Sequence, residues 1–88
     1  MLTKQLPVIN ELGLHARVAC RIVRCAGEFQ SSVVAIKNDK SFDLKNVTGV
    51  ITVNAKCGDV LTVQFDGADE EQAAKTIEEL FAEKFGEK

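Results

Sequence analysis

The residues able to do chemistry lie early in the chain, in Gly13-Leu14-His15-Ala16-Arg17, which holds the only histidine of 88 residues. A neutral imidazole, abundant at pH 7, is a nucleophile through its unprotonated ring nitrogen. Apolar spacing predicts a helix beginning near Ala16, and a helix N-terminus presents unpaired backbone N–H groups at the positive end of a dipole. Such an end favours a phosphate over a cation. Arg17 adds a guanidinium two residues on, suited to gripping phosphoryl oxygens. Residue types and spacing point to a histidine that accepts a phosphoryl group and is stabilised once it carries one. The competing reading, a structural histidine, is weakened because His15 falls in a loop before a helix and not on an apolar stripe.

The elements that must position this histidine can be read on either side of it. Ala19, Ile22, Val23 and Ala26 recur at helical spacing, with Arg17, Arg21 and Arg24 repeating along another side and Gly27 as C-cap. Leu2 to Ile9 reads as a strand, with Pro7 marking an edge or an end. Ser32 to Lys37 is rich in β-branched residues, Asn38-Asp39 predicts a tight turn, and a short strand follows around Ser41 to Leu44. Val60 to Phe65 alternates, with Leu61, Val63 and Phe65 on one face. Asp69 and Gln72 form a capping-box-like pair ahead of an apolar stripe of Ala73, Ile77, Leu80, Phe81 and Phe85, stopped by Gly86. Asn46 to Asn54 stays open. Val47 to Val53 has strand propensity and Gly49 weakens a helix, yet Asn46 is a good N-cap and Val47, Val50 and Ile51 have helical spacing. The result is β-α-β-β-(α or β)-β-α, an α+β sandwich with helices on one face of an antiparallel sheet.

Composition narrows the function classes. A chain of 88 residues is expected to form a single domain, 1–88, with one modest core and no room for a deep lidded cleft. Its net charge is −2, distributed as eight Lys/Arg against five Asp/Glu through residue 65 (+3) and three against eight thereafter (−5). Without an Arg/Lys-rich run, nucleic-acid binding is not expected, and the acidic end reads as a solvated helix face. No apolar run reaches membrane-span length and the first residues do not open like a signal peptide, so a cytoplasmic protein without membrane insertion is expected. Cys20, Cys25 and Cys57 are odd in number, contain no C-x-x-C and have no second histidine beside them. Neither a disulfide framework nor a metal site is expected, nor any bound cofactor.

With His15 and Arg17 in place, the sequence resembles the HPr family, the histidine phosphocarriers of the bacterial sugar phosphotransferase system. The resemblance rests on Gly13-Leu14-His15-Ala16-Arg17 as the active-centre motif and on Lys45-Asn46-Val47-Thr48-Gly49-Val50 at the docking and regulatory motif. Gly58-Asp59, Gly67 and Asp69-Glu70-Glu71 extend it over nearly the whole chain. It implies an open-faced β-sandwich, βαββαβα, with four antiparallel strands and three helices on one face. The segment after Asn46 is thereby assigned to a helix, against its local propensity.

The resemblance also implies roles. His15 is phosphorylated at Nδ1 by phosphorylated enzyme I, which draws on phosphoenolpyruvate, and passes the group to a IIA domain of a sugar permease. Arg17 stabilises the phosphate together with the backbone amides of Ala16 and Arg17. Val47, Thr48, Gly49, Ile51 and Thr52 form the docking surface, and Arg21 and Arg24 are candidate partner contacts. The carrier is expected to be a monomer and not an independent catalyst. Three positions depart from the family pattern. Val18 stands where proline is usual, Asn46 where many members carry a phosphorylatable serine, and Thr48 where an apolar docking residue is usual. Asn46 cannot accept phosphate, so that control is expected to be absent. The alternative function is a regulatory module of the same fold, of nitrogen-branch or catabolite-control type, acting on a transcription factor or enzyme.

Overall fold

The computed structural model describes residues 1–86. The elements run β1 (Leu2–Pro7), α1 (Ala16–Ala26), β2 (Ser32–Lys37), β3 (Lys40–Asp43), α2 (Val47–Val53), β4 (Val60–Asp66) and α3 (Glu70–Ala82), followed by a 3₁₀ turn at Lys84–Gly86. The strands form one antiparallel sheet in the order β1-β4-β2-β3. This is the βαββαβα open-faced sandwich. Central strand β4 buries Leu61, Val63 and Phe65, as its alternation predicts, against Ile22, Val50, Ile77 and Phe81 of the helical layer.

Local chemistry explains most element boundaries. Asn38 and Asp39 both adopt positive φ (53° and 64°), the two-residue turn whose twist suits a hairpin between β2 and β3. Pro7 sits opposite Val60 at the end of edge strand β1, where its missing N–H breaks no ladder. β1 stops there rather than at Ile9, because Val8 turns to exchange hydrogen bonds with Gly58 and Asp59 in the loop before β4. β3 begins one residue earlier than predicted and ends at Asp43. Leu44 is buried beyond it, its amide donating to Val33.

The ambiguous segment is a helix. Asn46 caps it, its side-chain oxygen accepting the Thr48 amide at 2.8 Å. Burial of Val50 and Val53 supplies what propensity does not. Gly49 is required by close packing: a Cβ there would come within 2.4 Å of the Asp43 carbonyl oxygen. Lys37 closes the other end, donating to the carbonyls of Val53 and Asn54 at 3.2 and 3.3 Å.

The predicted capping box at α3 does not form. Asp69 makes no side-chain cap; its carboxylate instead accepts hydrogen bonds from the amides of Gln30 and Ser31 and from the Ser31 hydroxyl. Gln72 is exposed, and Glu70 accepts the Gly67 amide instead. Three groups in the α1–β2 connection outbid one helical amide. Within α3, Leu80 is only half-buried, while Ala74 completes the apolar stripe. The helix ends at Ala82, ahead of Gly86, and Phe85 folds back in the turn to meet Phe81 edge-on at 4.7 Å. Gly27 ends α1 in right-handed conformation, its amide bonded to Val23.

The Ser31 hydroxyl, followed by the Gln30 and Ser31 amides, holds the Asp69 carboxyl below its ordinary value. A depressed carboxylate contributes stability above its unfolded pKa of about 4 and loses it as pH falls through the lower folded value. Asp69→Asn is therefore expected to lower stability at neutral pH and to flatten its decline below about pH 4. Urea melts of both chains across that range check this.

Candidate functional site

His15 is the N-cap of α1. Its backbone is extended (φ −84°, ψ 179°), its carbonyl accepts the Ala19 amide at 2.8 Å, and its ring Nδ1 accepts the Arg17 amide at 3.3 Å. An Nδ1 that accepts a hydrogen bond presents its lone pair, so the neutral ring carries its proton on Nε2. Nε2 is shielded from solvent. The nucleophilic nitrogen thus lies at the positive end of an 11-residue helix, among first-turn amides that have no intrahelical acceptor.

The turn delivering His15 depends on residues on both sides. Gly13 has φ +67°, and a Cβ there would lie 2.6 Å from the Ala55 carbonyl oxygen and 2.9 Å from the Lys56 Cα. No side chain fits. Leu14 is buried, and its amide donates to Ala55 at 3.0 Å. The receiving loop is itself held, since Asp59 accepts the Lys56 amide at 2.9 Å and pairs with Lys37 at 3.7 Å. The Lys56 amide foremost, with Lys37 assisting, keeps the Asp59 carboxyl below its ordinary value.

Beside His15 the surface is apolar. Leu12 is 70% exposed, Ile51 45% and Val47 37%. Leu12, Leu14, His15, Ile51, Ala55 and Lys56 line a shallow groove. His15 thus borders an open, mostly apolar groove at the protein surface.

Comparison with known proteins decides the family. A family model described as the PTS HPr component phosphorylation site matches residues 2–83. The chain belongs to the HPr family. Phosphocarrier protein HPr of Cupriavidus necator is 38% identical over 87 residues, covering 99% of this chain and 98% of that one. The Neisseria meningitidis HPr is 37% identical over the same span and coverage. The crystal structure of HPr-C-His from Thermoanaerobacter tengcongensis superposes with a TM-score of 0.94 at 33% identity, covering 100% of this chain and 99% of that one. The chain is thus a member of the phosphotransferase-system phosphocarriers, with their fold.

Within this HPr fold, the residues singled out from sequence divide into groups. His15, Ala16 and Arg17 come together at the start of α1, the last two exposed. On α2, Val47, Thr48, Ile51 and Thr52 face outward, whereas Gly49 turns toward the backbone of Asp43. Asn46 is occupied as the α2 cap. Val18, in place of proline, is fully buried, and α1 begins at Ala16 without help from a ring. Arg24 is exposed on α1.

Arg21, expected as a candidate partner contact, is exposed and also makes a contact within the chain. Its Nη1 donates to the Phe85 carbonyl and covers Gly86, where a Cβ would collide with it. It fastens the terminal turn to α1. Leu12, Asn10 and Lys37 also escape a reading from motifs, and Asp59, although part of the Gly58-Asp59 resemblance, has no role there beyond a loop. Asn10 and Asp59 carried one signal, their preference for turns. Leu12 carried none, since an apolar residue in a loop is as easily buried as exposed.

Among the described residues no three His, Cys, Asp or Glu side chains cluster to hold a metal, and no helix is long and apolar enough to cross a membrane. Arg21→Met is expected to cost about 1–2 kcal/mol in stability through loss of the charged hydrogen bond. Chemical denaturation measures it, and an unchanged midpoint would show that the Phe85 contact adds nothing to stability.

Proposed function

We propose that this chain is a diffusible phosphocarrier that accepts a phosphoryl group on His15 from enzyme I and passes it to a IIA domain of a sugar permease. The observation that carries this reading is the His15 Nδ1 lone pair held at the N-terminus of α1. In the transfer, that lone pair attacks phosphorus in line while the bond from phosphorus to the donor atom of enzyme I breaks and its electron pair returns to that atom. His15 keeps its Nε2 proton through the step. The phosphoryl oxygens then take over the Arg17 amide that Nδ1 now holds, and the Ala16 amide and Arg17 guanidinium share the charge. Onward transfer reverses these bonds on a new acceptor. Such a group must be stabilised without being trapped, and exposed donors in a solvated site meet that need.

Docking is assigned to Val47, Thr48, Ile51 and Thr52, joined by Leu12 across the groove, with Arg24 steering acidic partners by raising the on-rate. The whole chain acts as one carrier domain in the cytoplasm, as a monomer.

Incubation with enzyme I and phosphoenolpyruvate is expected to add one acid-labile, base-stable phosphate, absent from His15→Ala. Arg17→Ala is expected to keep the fold and to slow phosphorylation or shorten the phosphohistidine lifetime, on the order of tenfold or more. An unlabelled parent, or a labelled His15→Ala, overturns the assignment. Label that reaches His15 but leaves to no sugar IIA domain would favour a regulatory module instead.

Leu12→Asp tests the docking surface separately. It is expected to raise KM for enzyme I with little change in thermal stability, because Leu12 is 70% exposed. A parent-like KM would remove Leu12 from the interface.

A further inference from the structure

We infer that Asn10 is the positioning residue that orients the His15 imidazole for transfer, an inference that rests on the phosphocarrier reading. Asn10 is wholly buried at the start of the turn. Its Nδ2 donates to the Gly13 carbonyl at 2.7 Å, and its own carbonyl accepts the Gly13 amide at 3.2 Å. The same Gly13 carbonyl accepts the His15 amide at 3.0 Å, closing a three-residue turn around Leu14. The N–H of that peptide unit belongs to Leu14 and donates to Ala55. One peptide plane is therefore gripped at both ends, by the neighbouring loop through its N–H and by Asn10 and His15 through its oxygen.

The grip matters because this plane sets the backbone from which the His15 ring projects. Without Asn10 the oxygen would be held only by the His15 amide, which belongs to the same turn and moves with it, so the plane could still swing about its N–H. The Asn10 bond ties the oxygen to a buried side chain outside that turn, stops the swing and keeps Nδ1 toward the Arg17 amide. Glu11 and Leu12 are exposed, so neither can supply the buried donor.

A second observation separates this role from packing. The Asn10 Oδ1 is buried without a hydrogen-bond partner among the described residues. A buried acceptor left unpaired is unfavourable, and an apolar side chain would avoid it. The fold carries that cost in Oδ1 to keep the donor in Nδ2. Its benefit falls on the geometry of His15.

The test compares the parent chain with Asn10→Ala and with Asn10→Ser, which restores a donor in the same space. Nitrogen-15 NMR of the His15 ring, free of any partner, is expected to report a proton on Nε2 in the parent and a mixture of tautomers in Asn10→Ala. With enzyme I and phosphoenolpyruvate, kcat for phosphorylation of Asn10→Ala is expected to fall on the order of 10- to 100-fold. KM should stay within about two-fold, because docking does not use this residue. Asn10→Ser is expected to recover part of both signals, and it is read in place of Asn10→Ala should that chain not fold. Parent-like tautomer and kcat in a folded variant, whatever its melting temperature, would reduce Asn10 to a structural residue. A parent that takes no phosphoryl group refutes the phosphocarrier reading instead, while the NMR comparison still decides whether Asn10 orients the ring.

Discussion

The contact between the turn at Gly13-Leu14 and the loop at Ala55-Lys56 is the constraint on which the placement of His15 depends. It joins two segments that are distant in sequence, and it forms only because Gly13 has no Cβ to fend off the Ala55 carbonyl. Behind it stands a chain of polar contacts from Lys56 through Asp59 to Lys37, which reaches the C-terminus of α2. The histidine loop and α2 are therefore referenced to one framework. A phosphocarrier gains from this, because His15 and the exposed face of α2 keep a fixed separation.

Charge is arranged with the same economy. The chain is slightly acidic overall, but its acidic excess lies after residue 65. Part of that excess is put to structural use: Asp69 gathers the α1–β2 connection, and Glu70 holds the Gly67 amide and the N-terminal amine. The start of α1 is left with the dipole's positive end and Arg17. Arg21 and Lys37, cations that a count would assign to the surface field, are engaged with backbone carbonyls and serve architecture.

What was legible in the sequence was legible for physical reasons. Strict alternation from Leu61 to Phe65 admits one reading, as does the Asn38-Asp39 hairpin turn, since both signals are local. The motif around His15 carried the chemistry because helix start, histidine and arginine fall within five residues. The second helix was not legible from propensity: Val47 to Val53 favours a strand, and its packing on α1 and β3 together with its two caps makes it helical. Asp69 misled for a related reason. A capping box is inferred from neighbours in sequence, whereas its carboxylate found better donors in Gln30 and Ser31, 38 to 39 residues away. Side-chain partners across such separations, like that of Arg21 with Phe85, are products of the completed fold.

The contact of Gly49 with Asp43 divides α2 into a close-packed side and an open one. The side facing the sheet has no slack, because even one methyl group would push the helix off β3. Val47, Thr48, Ile51 and Thr52 lie on the other side and carry little of the core. Substitutions there touch little of the core, so the chemistry of that face can change while the packing beneath it stays put. Thr48, polar where apolar residues are usual, is the kind of change such a surface tolerates.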